Sequence, residues 1–256
     1  MRTALISDIH SNLEALQAVL RDIESAKVER TLCLGDVVGY GPNPGECIER
    51  LVDCELYILG NHDVALLDEA YQEGFTPKAR QALTWTRRTL LSPSSPLVSN
   101  DVRTFYGQFV ETHREDGILY VHGSPRRPVE EYIFPGDITF PAKMSAVFAL
   151  VEQAAFLGHT HLPGVFLEEL TFIPPGALSQ GFELPTDQKA IVNIGSVGQP
   201  RDGNPAASYV ILEGNRTGPL RVEFRRVPYD VEVTMAKIYR IADLHNDLGH
   251  RLAAGR

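Results

Sequence analysis

Thr3-Ala-Leu-Ile-Ser-Asp8-Ile-His10-Ser-Asn-Leu-Glu14 runs from a short apolar stretch into an aspartate and a histidine, then into a helix start. Thr3 to Ile6 has the pattern of a strand buried on both faces. Ser11 followed by Glu14 matches a capping box, a hydroxyl with a carboxylate three residues on. Leu13, Leu16, Val19, Leu20 and Ile23 recur at helical spacing, which predicts a helix to about Ala26. The same order repeats downstream. Thr31 to Leu34 reads as a second buried strand ending at Gly35-Asp36. The turn-rich stretch Gly39 to Gly45 leads to a short helix near Glu46 to Val52. Leu56 to Leu59 is a third strand, stopping at Gly60-Asn61-His62-Asp63. A βαβαβ order predicts parallel strands with right-handed crossovers, hence an α/β fold. In such sheets ligands bind beyond the carboxyl ends of the strands.

Further along, Lys78 to Leu91 reads as a helix ended by the Ser/Pro cluster Ser92 to Pro96. Ile118 to Val121 is a strand ending in His122-Gly123. Lys143 to Val151 reads as a helix, and Ala155 to Leu157 as a strand ending in Gly158-His159-Thr160-His161. Val165 to Glu168, Ala190 to Ile194, Tyr209 to Leu212 and Arg221 to Val227 then predict a second, more antiparallel layer. From Val231, the residues Met235, Ile238, Ile241 and Leu244 predict one or two packed helices. No repeat or linker interrupts the chain, so one domain is expected over residues 1–256, with a helical tail from about 230.

Composition narrows the function. The chain has 256 residues, 43% of them apolar, enough for a sizeable core. No uninterrupted apolar run reaches the roughly 18 residues of a membrane span. The start carries one basic residue before the first strand, unlike a secretory leader, so a cytoplasmic address is expected. Cys33, Cys47 and Cys54 form no C-x-x-C pair and read as small buried hydrophobes in a reducing compartment. A net charge of −9 argues against a nucleic-acid polymer as partner. A small anionic substrate requires something local that reverses the sign.

Asp8-Ile-His10, Gly35-Asp36, Gly60-Asn61-His62-Asp63, His122-Gly123 and Gly158-His159-Thr160-His161 supply that possibility. Each follows a strand, so their side chains can converge on one rim. Alternation along an extended strand would turn Asp8 and His10 to one metal. His159 and His161 would do the same, or diverge toward two metals if the turn kinks. Carboxylate and imidazole donors suit Mn²⁺, Fe, Zn²⁺ or Ni²⁺. Singly each segment is a common dipeptide or tripeptide; the ordered set, holding five of the eight histidines, is not.

This ordered set, D-x-H, G-D, G-N-H-D, H-G and G-H-x-H, resembles the calcineurin-like metallophosphoesterases. The phrases Gly35-Asp-Val-Val-Gly-Tyr-Gly-Pro-Asn-Pro44, Asn193-Ile-Gly-Ser-Val-Gly-Gln-Pro-Arg-Asp-Gly203 and Pro228-Tyr-Asp-Val resemble a bacterial and archaeal branch of small phosphodiesterases. That branch includes relatives of dinucleoside-polyphosphate hydrolases. The resemblance implies a four-layer αββα sandwich with two mixed β-sheets, and two divalent cations, with Mn the first choice in vitro. It places Asp8, His10 and His161 on the first metal and Asn61, His122 and His159 on the second, with Asp36 bridging. It further implies in-line attack of a metal-bridging hydroxide on a phosphodiester or phosphoanhydride of a small, nucleotide-type substrate. Two cations, two aspartates and one hydroxide leave the site at about +1, which answers the charge condition.

His62 follows a metal ligand without being assigned as one, so it is expected to protonate the leaving oxygen or stabilise transition-state charge. Asp63 either orients His62 through a hydrogen bond or caps the next helix. Arg126, Arg127 and Arg201 are candidate phosphate contacts, against the alternative of solvated or sheet-crossing loops. Asn43, after the bridging position, is a further substrate candidate. Trp85 reads as helix packing rather than a base-stacking platform. Residues 123 to 141 read as a partial cover over the pocket, which favours small substrates over a protein phosphatase's. A non-catalytic metal- or nucleotide-binding module would be marked by a lost ligand or a replaced His62, and neither is seen. An exposed sheet edge and the tail would suit a homodimer.

Overall fold

The computed structural model describes residues 1–92, 99–178, 180–214 and 219–256. Two six-stranded mixed sheets stack face to face with helices outside. The first sheet starts from β1 (Arg2–Ile6), β2 (Arg30–Cys33) and β3 (Leu56–Tyr57), paired in parallel and linked by α1 (Leu13–Ser25) and α2 (Pro44–Arg50). The second contains β4 (Thr112–Glu115), β5 (Ile118–Val121), β6 (Ala154–Leu157), β7 (Gly164–Leu167), β8 (Thr171–Ile173) and β10 (Ala190–Asn193). Helix α3 (Asn61–Leu67) opens directly after the third strand. Helices α4 (Pro77–Leu91) and α5 (Ser99–Tyr106) follow, and α6 (Pro141–Phe148) covers the second sheet.

Two expectations change here. The second sheet is mixed as expected but no more antiparallel than the first. In it β5, β6 and β10 pair in parallel and the other pairings are antiparallel, the same balance as in the first sheet. The late strands β11 (Ala207–Glu213) and β12 (Arg221–Val227) do not join it. They return to the first sheet, β11 lying antiparallel to β1, and β9 (Phe182–Glu183) closes that edge. Local alternation predicts a strand but says nothing of which sheet it enters. The helix cap also moves by one residue. Asn12, not Ser11, caps α1, its Oδ1 accepting from Ala15 N at 3.2 Å. Ser11 sits at φ 56°, tied by its N–H to Val37 O at 3.0 Å, and its hydroxyl caps nothing, being buried without a hydrogen-bond partner.

Period-two alternation builds the layers. Leu5, Leu32, Tyr120, Phe156 and Val192 meet between the sheets. Their chain neighbours Ala4, Ile6 and Cys33 face α1 and α2 instead, and Leu119, Val121, Ala155 and Leu157 face α6. Each strand thus feeds two cores at once. Emptying the centre with Phe156→Ala would cost about 3–5 kcal/mol. Cys33 and Cys47 are wholly buried in the outer core, and burial raises both thiols well above the usual range. The Ser/Pro cluster expected to end α4 lies, past Ser92, outside the described residues. The tail forms α7 (Val231–Arg240) and α8 (Asn246–Ala254), which pack with Ala82, Trp85 and Tyr40 beside the strand ends. None of the described helices is long and apolar enough to cross a membrane.

Candidate metal centre

The loops leaving β1 and β2 continue to pair after the strands stop. Asp8 N donates to Gly35 O at 2.9 Å, His10 N to Asp36 O at 3.0 Å and Ser11 N to Val37 O at 3.0 Å. Asp8, His10, Asp36, His159 and His161 all have φ between 48° and 66°, a strained choice for residues other than glycine. The extended alternation expected for Asp8 and His10 is therefore replaced by a curl, which still brings them together. The same curl sends His159 and His161 to different partners.

His10 Nε2 and His161 Nε2 lie 3.1 Å apart, and Asp8 Oδ1 is 3.1 Å from His161 Nε2. In the neighbouring group, His122 Nε2 lies 3.1 Å from His159 Nδ1 and 3.4 Å from Asp36 Oδ2. Asp36 Oδ2 is also 3.7 Å from His10 Nε2, which sets it between the two groups. Each aspartate spends its other oxygen on the backbone of a facing loop. Asp8 Oδ2 accepts from His159 N at 3.0 Å, and Asp36 Oδ1 from His62 N at 2.8 Å. Side-chain room is absent at these contacts. A Cβ on Gly158 would stand 2.3 Å from Asp8 Oδ2, and one on Gly60 2.2 Å from Asp36 Oδ1.

Second hydrogen bonds fix the ring tautomers. His10, His122 and His161 give Nδ1 to the carbonyls of Val38, Leu34 and Gln199, at 3.1, 2.8 and 2.6 Å. His159 gives Nε2 to Glu130 O at 3.1 Å. A carbonyl only accepts, so these nitrogens carry the hydrogens. The opposite nitrogens then turn lone pairs toward each other, which is repulsive unless a cation or proton intervenes. Asp8 Oδ1 and Asn61 Oδ1 are buried acceptors without a hydrogen-bond partner. Converging lone pairs, orphaned oxygens and second bonds to carbonyls fit divalent metals. The neighbouring aspartates favour the charged form of a ring in this cluster. Burial opposes it, but the charge and hydrogen bond of Asp36 lift His122 to about 10. Burial first, then neighbouring charges, hold His10 and His161 well below the usual range and His159 at about 3.

His62 offers a ring nitrogen within 4.8 Å of donor atoms of His10 and Asp36, so distance alone does not separate it from the others. Its hydrogen bonding does: Nδ1 is buried with no partner. Burial lowers it to about 4, the charge of Asp36 opposing and that of Arg201 assisting, so the ring is neutral near pH 7. Asp63 does not orient it. Asp63 Oδ2 accepts from Asp36 N at 2.7 Å and Gly60 N at 3.0 Å, and Oδ1 from Val37 N at 3.0 Å. The carboxylate caps α3 and secures the loop carrying Asp36, because those backbone donors surround it.

The expected substrate contacts divide. Asn43 is drawn away: its amide bonds Glu46 at 2.7 Å and Lys237 at 3.1 Å. Arg126 bonds Glu131 through Nε at 3.0 Å, and Arg127 pairs with Glu130. Both arginines are thus already neutralised. Arg201 lies against Gln199 at 2.9 Å, and its charge reaches Tyr40, His62 and His161. Trp85 packs under the tail helices. Beside His62 and His159 opens a cleft of about 440 Å³, walled by Tyr40, Tyr71, Phe75 and Tyr132. Sequence reasoning missed these aromatics, which lie in loops and turns where no periodicity marks them. The nearest signals were Tyr40 in the glycine-rich phrase and the bulky segment 123–141, whose Glu130 and Tyr132 do line the cleft.

A sequence model described as a calcineurin-like phosphoesterase superfamily domain matches residues 1–217. An uncharacterized protein of Methanocaldococcus jannaschii is 36% identical over 99% of this chain and 98% of its own length. The symmetrical bis(5'-nucleosyl)-tetraphosphatase of Citrobacter koseri is 35% identical, but over 34% of this chain and 37% of its own. A crystal structure of a metallophosphoesterase from Sphaerobacter thermophilus superposes with a TM-score of 0.81 at 35% identity, covering all of both chains. A hypothetical protein of Pyrococcus horikoshii OT3 shares the fold, with a TM-score of 0.75 at 21% identity over 100% of this chain and 98% of its own.

Proposed function

The chain belongs to the calcineurin-like phosphoesterase superfamily, and from that premise we propose that it hydrolyses a phosphodiester or phosphoanhydride of a small, nucleotide-type substrate using two divalent cations. The observation that carries this reading is the pairing of imidazole lone pairs at 3.1 Å in two adjacent groups, with Asp36 Oδ2 between them. Asp8, His10 and His161 would hold one cation, Asn61, His122 and His159 the other, and Asp36 would serve both. Cations so placed supply Lewis acidity to the phosphoryl oxygens and acidify water to a pKa of roughly 7.

The chain's own residues do the rest. Carbonyls of Val38, Leu34, Gln199 and Glu130 lock the rings in the tautomers required. Water's oxygen bonds to phosphorus in line as the bond to the ester oxygen breaks, and a proton ends on the leaving oxygen. His62, neutral in the free site and at the cleft, would take up a proton as substrate charge raises its basicity. It would give that proton to the leaving oxygen and return to the neutral ring, while the proton lost by the attacking water goes to solvent. Arg201 adds positive charge on the same side. The nucleotide part of the reading is supported by the partial match to the Citrobacter koseri tetraphosphatase.

The test is protein reconstituted with Mn²⁺, Fe²⁺, Zn²⁺ or Ni²⁺, assayed on bis(p-nitrophenyl) phosphate, p-nitrophenyl phosphate and a dinucleoside tetraphosphate, with metal content measured alongside. Turnover of at least one ester at about two metals per chain is expected. A fully loaded protein inert toward all three would overturn the reading in favour of a binding module.

A further inference from the structure

We propose, resting on the hydrolase reading above, that the cleft takes an ester whose non-reacting group is a planar aromatic ring, a nucleobase, rather than a polyphosphate chain. The walls of the cleft away from the clusters are Tyr71, Phe75 and Tyr132, and no lysine or arginine lines it among the described residues. Tyr132 lies parallel to the ring of His159, centroids 3.7 Å apart at 12°, and Phe134 continues the stack at 5.3 Å and 13°. Tyr132 is 39% exposed and Phe134 45%, so this stack leads from the metal cluster to the surface. Aromatic rings held in parallel and left open are a ready surface for a further π face.

The stack is held before any ligand arrives. Lys143 Nζ donates to Tyr132 O at 2.8 Å and to Asp137 Oδ2 at 2.6 Å, and that oxygen also accepts from Phe134 N at 2.7 Å. Across the cleft, Phe75 sets its edge on His62 at 4.9 Å and 86°. Tyr71 donates to Glu130 Oε1 at 2.9 Å, which joins the two walls. Pre-set walls lose little entropy on binding. The charge pattern points the same way. Arg126 and Arg127 are bonded to Glu131 and Glu130, so this wall offers a polyphosphate no unpaired arginine. One phosphoryl group fits the clusters and Arg201; one neutral ring fits the aromatic walls.

The experiment keeps the p-nitrophenolate leaving group constant and varies the other ester group among methyl, phenyl and thymidin-5'-yl. The phenyl and thymidinyl diesters are expected to exceed the methyl diester by about ten-fold or more in kcat/KM. They should also exceed a dinucleoside tetraphosphate. Tyr132→Leu should shrink the aromatic-to-methyl ratio to within about three-fold, and Tyr132→Phe should retain it. Should Tyr132→Leu lose metal through His159, Phe75→Leu poses the same comparison from the other wall. Equal kcat/KM for methyl and aromatic diesters in the wild type, or a ratio untouched by either leucine variant, overturns the proposal. Calorimetry of AMP against ribose 5-phosphate on metal-loaded protein needs no turnover. Tighter AMP binding without hydrolysis of any ester would leave the aromatic site standing and remove the hydrolase reading. Hydrolysis of every ester without aromatic preference would do the reverse.

Discussion

His10 Nε2 and His161 Nε2 stand 3.1 Å apart across 151 residues of sequence, and each ring has already given its Nδ1 hydrogen to a main-chain carbonyl. Neither nitrogen can turn away without breaking that bond. His161→Ala is therefore expected to lower bound metal from about two to about one per chain, read by elemental analysis. Outer partners of metal ligands alone are worth about 10–100-fold, so loss of the ligand should cost more than about 100-fold in activity. Full metal content in this variant would remove His161 from the ligand set.

The same crowding makes the metal part of the fold's stability. Binding to the native state alone adds about 2.7 kcal/mol per site at a ligand concentration 100 times Kd. For a chain of this size each kcal/mol moves Tm by roughly 2–4 °C. Chelation should thus lower the melting temperature of the wild type by several degrees and that of His161→Ala by less. Equal shifts would mean that the chelator acts elsewhere.

His62→Ala separates chemistry from metal binding. Its Nδ1 has no partner, and none of the carbonyl bonds that hold the other rings depends on it. Metal content should be unchanged, while kcat falls about 10²–10⁴-fold. Asp63→Asn acts differently, because that side chain holds the backbone of Gly60, Asp36 and Val37. It should lower metal affinity and stability together, as a positioning residue does.

The glycine before His159 admits no side chain. A Cβ on Gly158 would overlap Asp8 Oδ2 and Ser7 Oγ, each at 2.3 Å. Gly158→Ala should displace Asp8 and reduce metal occupancy even under metal excess. An alanine variant with full occupancy and wild-type activity would show that the loop relaxes freely.

Much of this site was legible in the sequence because metal-binding residue types at strand ends are local patterns. The i, i+2 alternation expected for Asp8 and His10 gives way to a different geometry, both residues curling at positive φ, and their side chains still converge. The capping hydroxyl of Ser11 lost to Asn12 because pairing with Val37, a contact 26 residues away, fixes its backbone. Asp63 looked free to serve His62, yet three backbone donors from two loops reach it first. β11 and β12 read correctly as strands and still joined the other sheet. In each case the deciding partner is distant in sequence, where periodicity and propensity carry no information. The aromatic cleft was hidden for the same reason, since Tyr40, Phe75 and Tyr132 come from three separate loops.

Asp22 offers a test of pH dependence away from the metals. Its carboxylate on α1 accepts from Tyr209 Oη at 2.6 Å and from Arg225 Nη2 at 2.9 Å, fastening the helix to β11 and β12. Burial, the largest influence, raises the group, but the hydrogen bonds of Arg225 and Tyr209 outweigh it and hold the pKa below its ordinary value. A carboxyl lowered in the folded state binds its proton more readily when unfolded. It therefore stabilises the fold above the unfolded value of about 3.9, and that contribution fades as pH falls through the folded value. The pair is partly solvated, so Asp22→Asn should cost about 1 kcal/mol at pH 7. In urea unfolding, the gap between wild type and variant should stay constant from about pH 7 to 5 and narrow below about pH 4. A gap of the same size at every pH would mean that shape and packing, not the ionised carboxylate, hold α1 to the sheet.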